Sequence, residues 1–223
     1  MKLAEVFQQL AYGELSQLFI GENDEGEIRE NKFPIVLASV NLGLTALHKR
    51  FNLREGRIYF PLTTEGNVYQ LTVTDLHKIE RIETKEGTDL PLNDGNHPLS
   101  CFTPKLNTIR VPWDIINKAS NLPEKYITDE LLVIYRANHP KITEVNGSID
   151  PEVLEVDLPY SHLEALLYFV ASRIYNPIGM VNEFNAGNNW AAKYEMECQR
   201  LEQLNLEVDE ANENTRLINN GWV

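Results

Sequence analysis

Residues 165–175, ALLYFVASRIY, decide how the rest of the chain must fold. Together with the residues just before them they place Leu163, Leu166, Leu167, Val170 and Ile174 at helical spacing. That stripe is broad, and a lone helix cannot bury it. Asp157 is positioned to cap the helix, with Pro159 in its first turn, where a missing N–H is harmless. Asn176, Pro177 and Gly179 stop it.

The partners lie on both sides. A long helix over residues 181–208 puts Trp190, Tyr194, Cys198, Leu201, Leu204 and Val208 at near-heptad steps. Such spacing suits packing along a neighbouring helix, with Trp190, Tyr194, Leu201 and Leu204 as contacts; packing into the same subunit's core is the other reading. At the N-terminal end, Leu3, Val6, Phe7 and Leu10 line one face of a short helix. A second helix beginning near Pro34 carries Val36, Leu37, Val40, Leu44, Leu47 and Phe51, and ends in His48, Lys49 and Arg50, cations that complement its dipole. Gly43 would admit a close helix neighbour or simply carry a helix-propensity cost. The acidic stretch 21–31, GENDEGEIREN, is a solvated loop.

Between these helices the pattern shifts to short β-rich runs at 58–62, 68–73, 78–84, 108–111 and 131–137, the last reading LLVIYRA. Turn signals separate them, and 153–156 reads as one more edge strand. The expected architecture is α+β: a four-helix bundle from residues 1–56 and 157–208, a β-rich insertion over 57–156, and an extension over 209–223. That extension is polar apart from Leu217, Ile218, Trp222 and Val223. A segment with so little apolar surface gains order when a partner supplies the rest, and Trp is a frequent interface anchor.

Charge narrows the function. With 33 acidic and 20 basic residues the formal net charge is −13, a poor match for gripping phosphates, which takes clustered Lys and Arg. It is compatible with a wall past which DNA slides, since like charge discourages adhesion. Cys101 and Cys198 have no metal or redox spacing and read as buried, reduced thiols. The five histidines form no HxxxH or HExxH pair. There is no GxSxG elbow, GxxxxGK[ST] loop or GxGxxG turn. Asp75 and His77 share a strand face but have no nucleophile beside them, so an ion pair is the simpler reading. The N-terminus is amphipathic and acid-bearing, unlike a signal peptide, and no apolar run spans a bilayer. An enzyme, a cofactor and a membrane association are not expected.

The helical pair leading to residues 37–51, the strand and turn LVIYRANHPKI over 132–142, and the closing pair 163–175 and 181–201 with a trailing extension together resemble one family. The chain resembles the head-to-tail adaptor (connector) proteins of tailed bacteriophages, especially short-tailed podophages. The resemblance implies a structural virion protein at the head–tail junction, assembled in the bacterial host cytoplasm. Twelve copies would form a ring beneath the portal protein and extend the DNA channel. The extension would dock on the portal through Leu217, Ile218, Trp222 and Val223, and the β-rich insertion would face tail, nozzle or fibre proteins. DNA would pass through the channel without specific binding. The alternative is a tail-completion or fibre-binding module that recognises its partner mainly through the insertion.

Overall fold

A computed structural model describes residues 1–16, 28–144, 148–175 and 181–204. Within them the chain is α+β, with five α-helices and two antiparallel sheets. The helices are α1 (Leu3–Tyr12), α2 (Phe33–Arg50), α3 (Trp113–Ile116), α4 (Leu163–Tyr175) and α5 (Val181–Gln203). The strands are β1 (Glu55–Pro61), β2 (Val68–Gln70), β3 (Leu76–Thr84), β4 (Asp89–Leu90), β5 (Phe102–Lys105), β6 (Thr108–Arg110) and β7 (Glu130–Ala137). Two compact units result: Arg54–Pro140 forms one, and Met1–Leu53 with the chain from Lys141 onward forms the other.

In the helical unit, α4 packs against α1, α2 and α5. Its Ala165, Leu166, Val170 and Ala171 are fully enclosed, as are Leu3, Val6 and Leu10 of α1 and Val36, Val40, Leu44 and Leu47 of α2. Each enclosed aliphatic side chain of this kind contributes roughly 1.5–3 kcal/mol. The closest approach is at Gly43: a Cβ there would meet Leu166 Cδ1 at 2.6 Å and Phe169 Cδ1 at 3.0 Å. The glycine expected to admit a neighbour therefore does so, and the neighbour is α4. At the far end of α2, Arg50 donates from Nε to Glu202 and from Nη1 to Glu195, both at 2.7 Å, tying α2 to α5. One guanidinium holding two carboxylates a heptad apart fixes the register of the helices.

The strand expected at 153–156 is not part of the β-rich unit. Instead the Leu3 N–H donates to Leu154 O at 2.9 Å and the Val156 N–H donates to Met1 O at 2.8 Å, with a bridge between Lys2 and Glu155. Val156 and Leu158 then enter the helical core. The unit boundary thus lies at Pro140, and residues 141–156 return to the helices. Asn41 holds the start of this return, its amide donating to Ile142 O and accepting from the Ile142 N–H, each at 2.9 Å.

In the β-rich unit the first sheet has the order β1-β7-β3-β4 and the second β2-β6-β5. Strand β7 is central, and its Leu131, Val133, Tyr135 and Ala137 face the core with Phe60, Ile79, Ile82, Ile109 and Ile115. The alternate residues of β7 lie on the other face, where Ile134 stands between Arg57 and Arg81 in the ladder. Ion pairs line that face, Arg136 of β7 reaching Glu80 of β3 at 3.1 Å and Arg57 pairing with Glu55 along β1 at 2.6 Å. The first face is apolar core, while the second mixes the buried Leu132 and Ile134 with flanking ion pairs. Gly56 lies opposite Tyr135, whose ring occupies the space a side chain would take. Strands β4 and β5 add to those expected from sequence; β5 includes Pro104 at the edge of its sheet, where a lost ladder donor is tolerated.

Candidate functional site

The four anchor residues of the C-terminal extension, Leu217, Ile218, Trp222 and Val223, lie outside the described residues. Val208 also lies outside the described residues; from Trp190 to Leu201 the α5 stripe faces the core of its own subunit. Trp190 stacks on Tyr168 with centroids 5.6 Å apart, and the Lys193 ammonium lies 4.1 Å above the Trp190 ring. Tyr194 meets Phe169 edge-on at 5.3 Å. Cys198 and Leu201 are buried in the helical core, Leu201 at 2% exposure. Leu204, one residue past the helix, is 57% exposed and lies apart from the other three. Half-buried aromatics with a cation over one face form a firm platform, since ring pairs and cation–π contacts each add about 0.5–1.5 kcal/mol.

The surface that sequence periodicity missed is the outer side of α2. From Phe33 to Leu47 this helix has no charged residue, and the structure buries only one side of it. Ile35 and Leu42, both 54% exposed, and Ala38 between them line the outward face at i, i+3 and i+7. Apolar side chains left facing outward on an uncharged helix run mark a surface available to a partner. The signal was available as the uncharged run of fifteen residues, hidden by the stronger inward stripe.

Two histidines far apart in sequence come together in the helical core. His48 is fully buried with Nε2 3.3 Å from Asp157 O, and His162 is buried with its ring edge-on to Phe51 at 4.8 Å. Ser161 Oγ lies 3.0 Å from His162 Nδ1. Burial, and secondarily the nearby His48, hold His162 below its usual pKa of 6.5. The sign follows. The unfolded chain takes up a proton near pH 6.5 and the folded one does so only at lower pH, so stability is full above that value and falls as the medium acidifies through the folded pKa. Urea midpoints measured from pH 7.5 to 5 should drop more steeply for the native protein than for His162→Leu; parallel slopes would exclude His162 as the source.

Asp75 does not pair with His77: it accepts a hydrogen bond from the Tyr135 hydroxyl at 3.2 Å. Burial pushes the Cys101 thiol up to about 12, and Cys198 is raised for the same reason. Both thiols are free and buried. Among the described residues no three His, Cys, Asp or Glu side chains converge as a metal site, and no helix is long and apolar enough to cross a membrane. No known family model matches the chain, and no curated protein sequence matches it.

Proposed function

We propose that this protein is a head-to-tail adaptor of a short-tailed bacteriophage, a structural, non-enzymatic virion component without a cofactor. On this reading the helices α1, α2, α4 and α5 act as a four-helix bundle, copies of which close into a twelve-membered ring beneath the portal. The ring extends the DNA channel, and residues 209–223 dock on the portal. Assembly takes place in the host cytoplasm and the product sits at the head–tail junction of the virion.

The outward face of α2 carries the reading. A cyclic assembly gives every subunit two different neighbour surfaces, so it uses more apolar helix than one core needs. Ile35, Ala38 and Leu42 supply that surplus. The net charge of −13 supports a conduit role, because repeated acidic subunits discourage DNA from adhering. The resemblance of order supports it as well: a helical unit interrupted by a β-rich unit and closed by a long helix.

Ile35→Asp/Leu42→Asp should leave the subunit folded, because both side chains are outside its core, while lowering its incorporation into rings on portal-bearing heads by more than about tenfold. Rings of normal yield and mass by native mass spectrometry would remove α2 from the interface. Deleting residues 212–223 should likewise leave a folded protein that no longer attaches to portal, and Trp222→Ala should weaken attachment by about 2 kcal/mol. Undiminished attachment of the truncated protein counts against the adaptor reading.

The second reading is a tail-completion or fibre-binding module working mainly through the β-rich unit. It draws on the open side of β3, which β4 covers only at Ile82 and Glu83. Excising Arg54–Pro140 separates the two: a helical remainder that still binds portal supports the adaptor, and one that is folded but binds nothing supports the module.

A further inference from the structure

Along the open side of β3 the β-rich unit contains a cavity of about 220 Å³, lined by Leu76, His77, Lys78 and Ile79 on one wall and by Asn93, Thr103, Lys105, Leu106 and Asn107 on the other. Because β4 pairs only with Ile82 and Glu83, the strand from Leu76 to Arg81, about 20 Å long, has no paired strand on that side among the described residues. The opposite wall is the β5–β6 hairpin, whose tip is held rigidly. Asn107 sits there with φ +58°, its carbonyl accepting from the Leu71 N–H at 2.7 Å and its amide nitrogen donating to Val73 O at 3.0 Å. Asn93, with φ +56°, clasps Thr103 through its side chain, accepting from the Thr103 N–H at 2.9 Å.

Two polar atoms of this cavity's lining are buried without a hydrogen-bond partner: Nε2 of His77 and Oδ1 of Asn107. Leaving a buried polar atom unsatisfied costs about 1–3 kcal/mol, so a small shift of either side chain that brings its orphaned atom to the groove surface, where an occupant can bond it, is favoured. Its charge indicates which occupant. None of the nine lining residues is acidic. Lys78 bonds Glu80 at 2.8 Å, while Lys105 makes no ion pair among the described residues. In a protein of net charge −13 this is a local basic site. Leu76, Ile79 and the exposed Leu106 add apolar contact.

We infer that this groove binds an acidic, extended peptide segment of a partner protein as an added strand beside β3. Main-chain hydrogen bonds to a free strand edge supply affinity, and alternate side chains entering the groove supply specificity. Lys105, and Lys78 once it leaves Glu80, meet its carboxylates, and small side-chain shifts bring Asn107 Oδ1 and His77 Nε2 within hydrogen-bond reach of it. The inference concerns the β-rich unit alone and stands whether or not the adaptor reading does.

The test uses the full-length, ¹⁵N-labelled protein and three probes: a blocked hexapeptide of alternating glutamate and valine, its lysine–valine counterpart, and glutarate. The acidic peptide should shift the amide resonances of Leu76, His77, Lys78 and Ile79 with a Kd below about 1 mM, and the basic peptide should bind more than about tenfold more weakly. Lys105→Glu, at an exposed position where folding is not at risk, should weaken the acidic peptide by about tenfold. Asn107→Gly, which keeps the left-handed backbone, should weaken both that peptide and any neutral analogue. Absence of shifts on β3, equal binding of the two peptides, or glutarate reproducing the peptide's shifts would each overturn the inference, the last by reducing the groove to a small-carboxylate site.

Discussion

Leu201→Ala lowers the stability of the helical unit by about 3 kcal/mol, whereas Leu204→Ala changes it by less than about 0.5 kcal/mol. The contrast arises within one turn of chain. Leu201 is enclosed by the same core that holds Leu166 and Val170, so truncation removes its buried methyl groups and leaves a void that packed neighbours cannot fill. Leu204 lies beyond the last turn of α5 with more than half its surface in solvent. Chemical denaturation with a probe on the Trp190–Tyr168 stack reads both variants directly. If Leu204 belongs to an interface between copies, its substitution shows in ring yield and not in the denaturation midpoint. Similar midpoints for the two variants would mean that α5 is not seated on α4 as described.

Gly56→Ala is the second large effect, with an expected loss of about 3 kcal/mol in the β-rich unit. A Cβ at this position falls against Cζ of the Tyr135 ring and 2.6 Å from its hydroxyl oxygen. Tyr135 has little freedom to retreat, since it is buried in the core and its hydroxyl donates to Asp75. The clash is therefore relieved only by moving β1 away from β7. Combining Gly56→Ala with Tyr135→Val, which withdraws the ring, should recover about half of the loss. Strict additivity of the two substitutions would show that the ring is not the obstacle.

Where periodicity and partner were local, the sequence was a sufficient guide. The inward stripes of α1, α2 and α4 follow from apolar residues three and four apart, and each is buried as that spacing demands. Strands β1, β3, β6 and β7 followed from β-branched and aromatic runs between turn residues. What escaped depended on distant neighbours. The segment around Val153 reads as an edge strand, and an extended backbone is what it has, but its partner is the chain's first three residues rather than the nearby sheet. The β4 strand is two residues long, and β5 carries a proline, so neither has a period to detect. His48 and His162 come near each other only because α2 packs against α4 and the turn that leads into it. The groove beside β3 likewise depends on a hairpin some thirty residues away closing the opposite wall, and on two orphaned atoms that no spacing rule reveals.

The core of the helical unit draws on both ends of the chain, while every residue of the β-rich unit lies between them. Synthesis from the N-terminus therefore completes Arg54–Pro140 before any residue of α4 exists. During that interval α1 and α2 must wait with their apolar stripes uncovered, since the surface that encloses them is still unmade. The inserted unit is contiguous in sequence and the outer one is not, so the nascent α1–α2 pair keeps part of its apolar stripe uncovered until α4 is made.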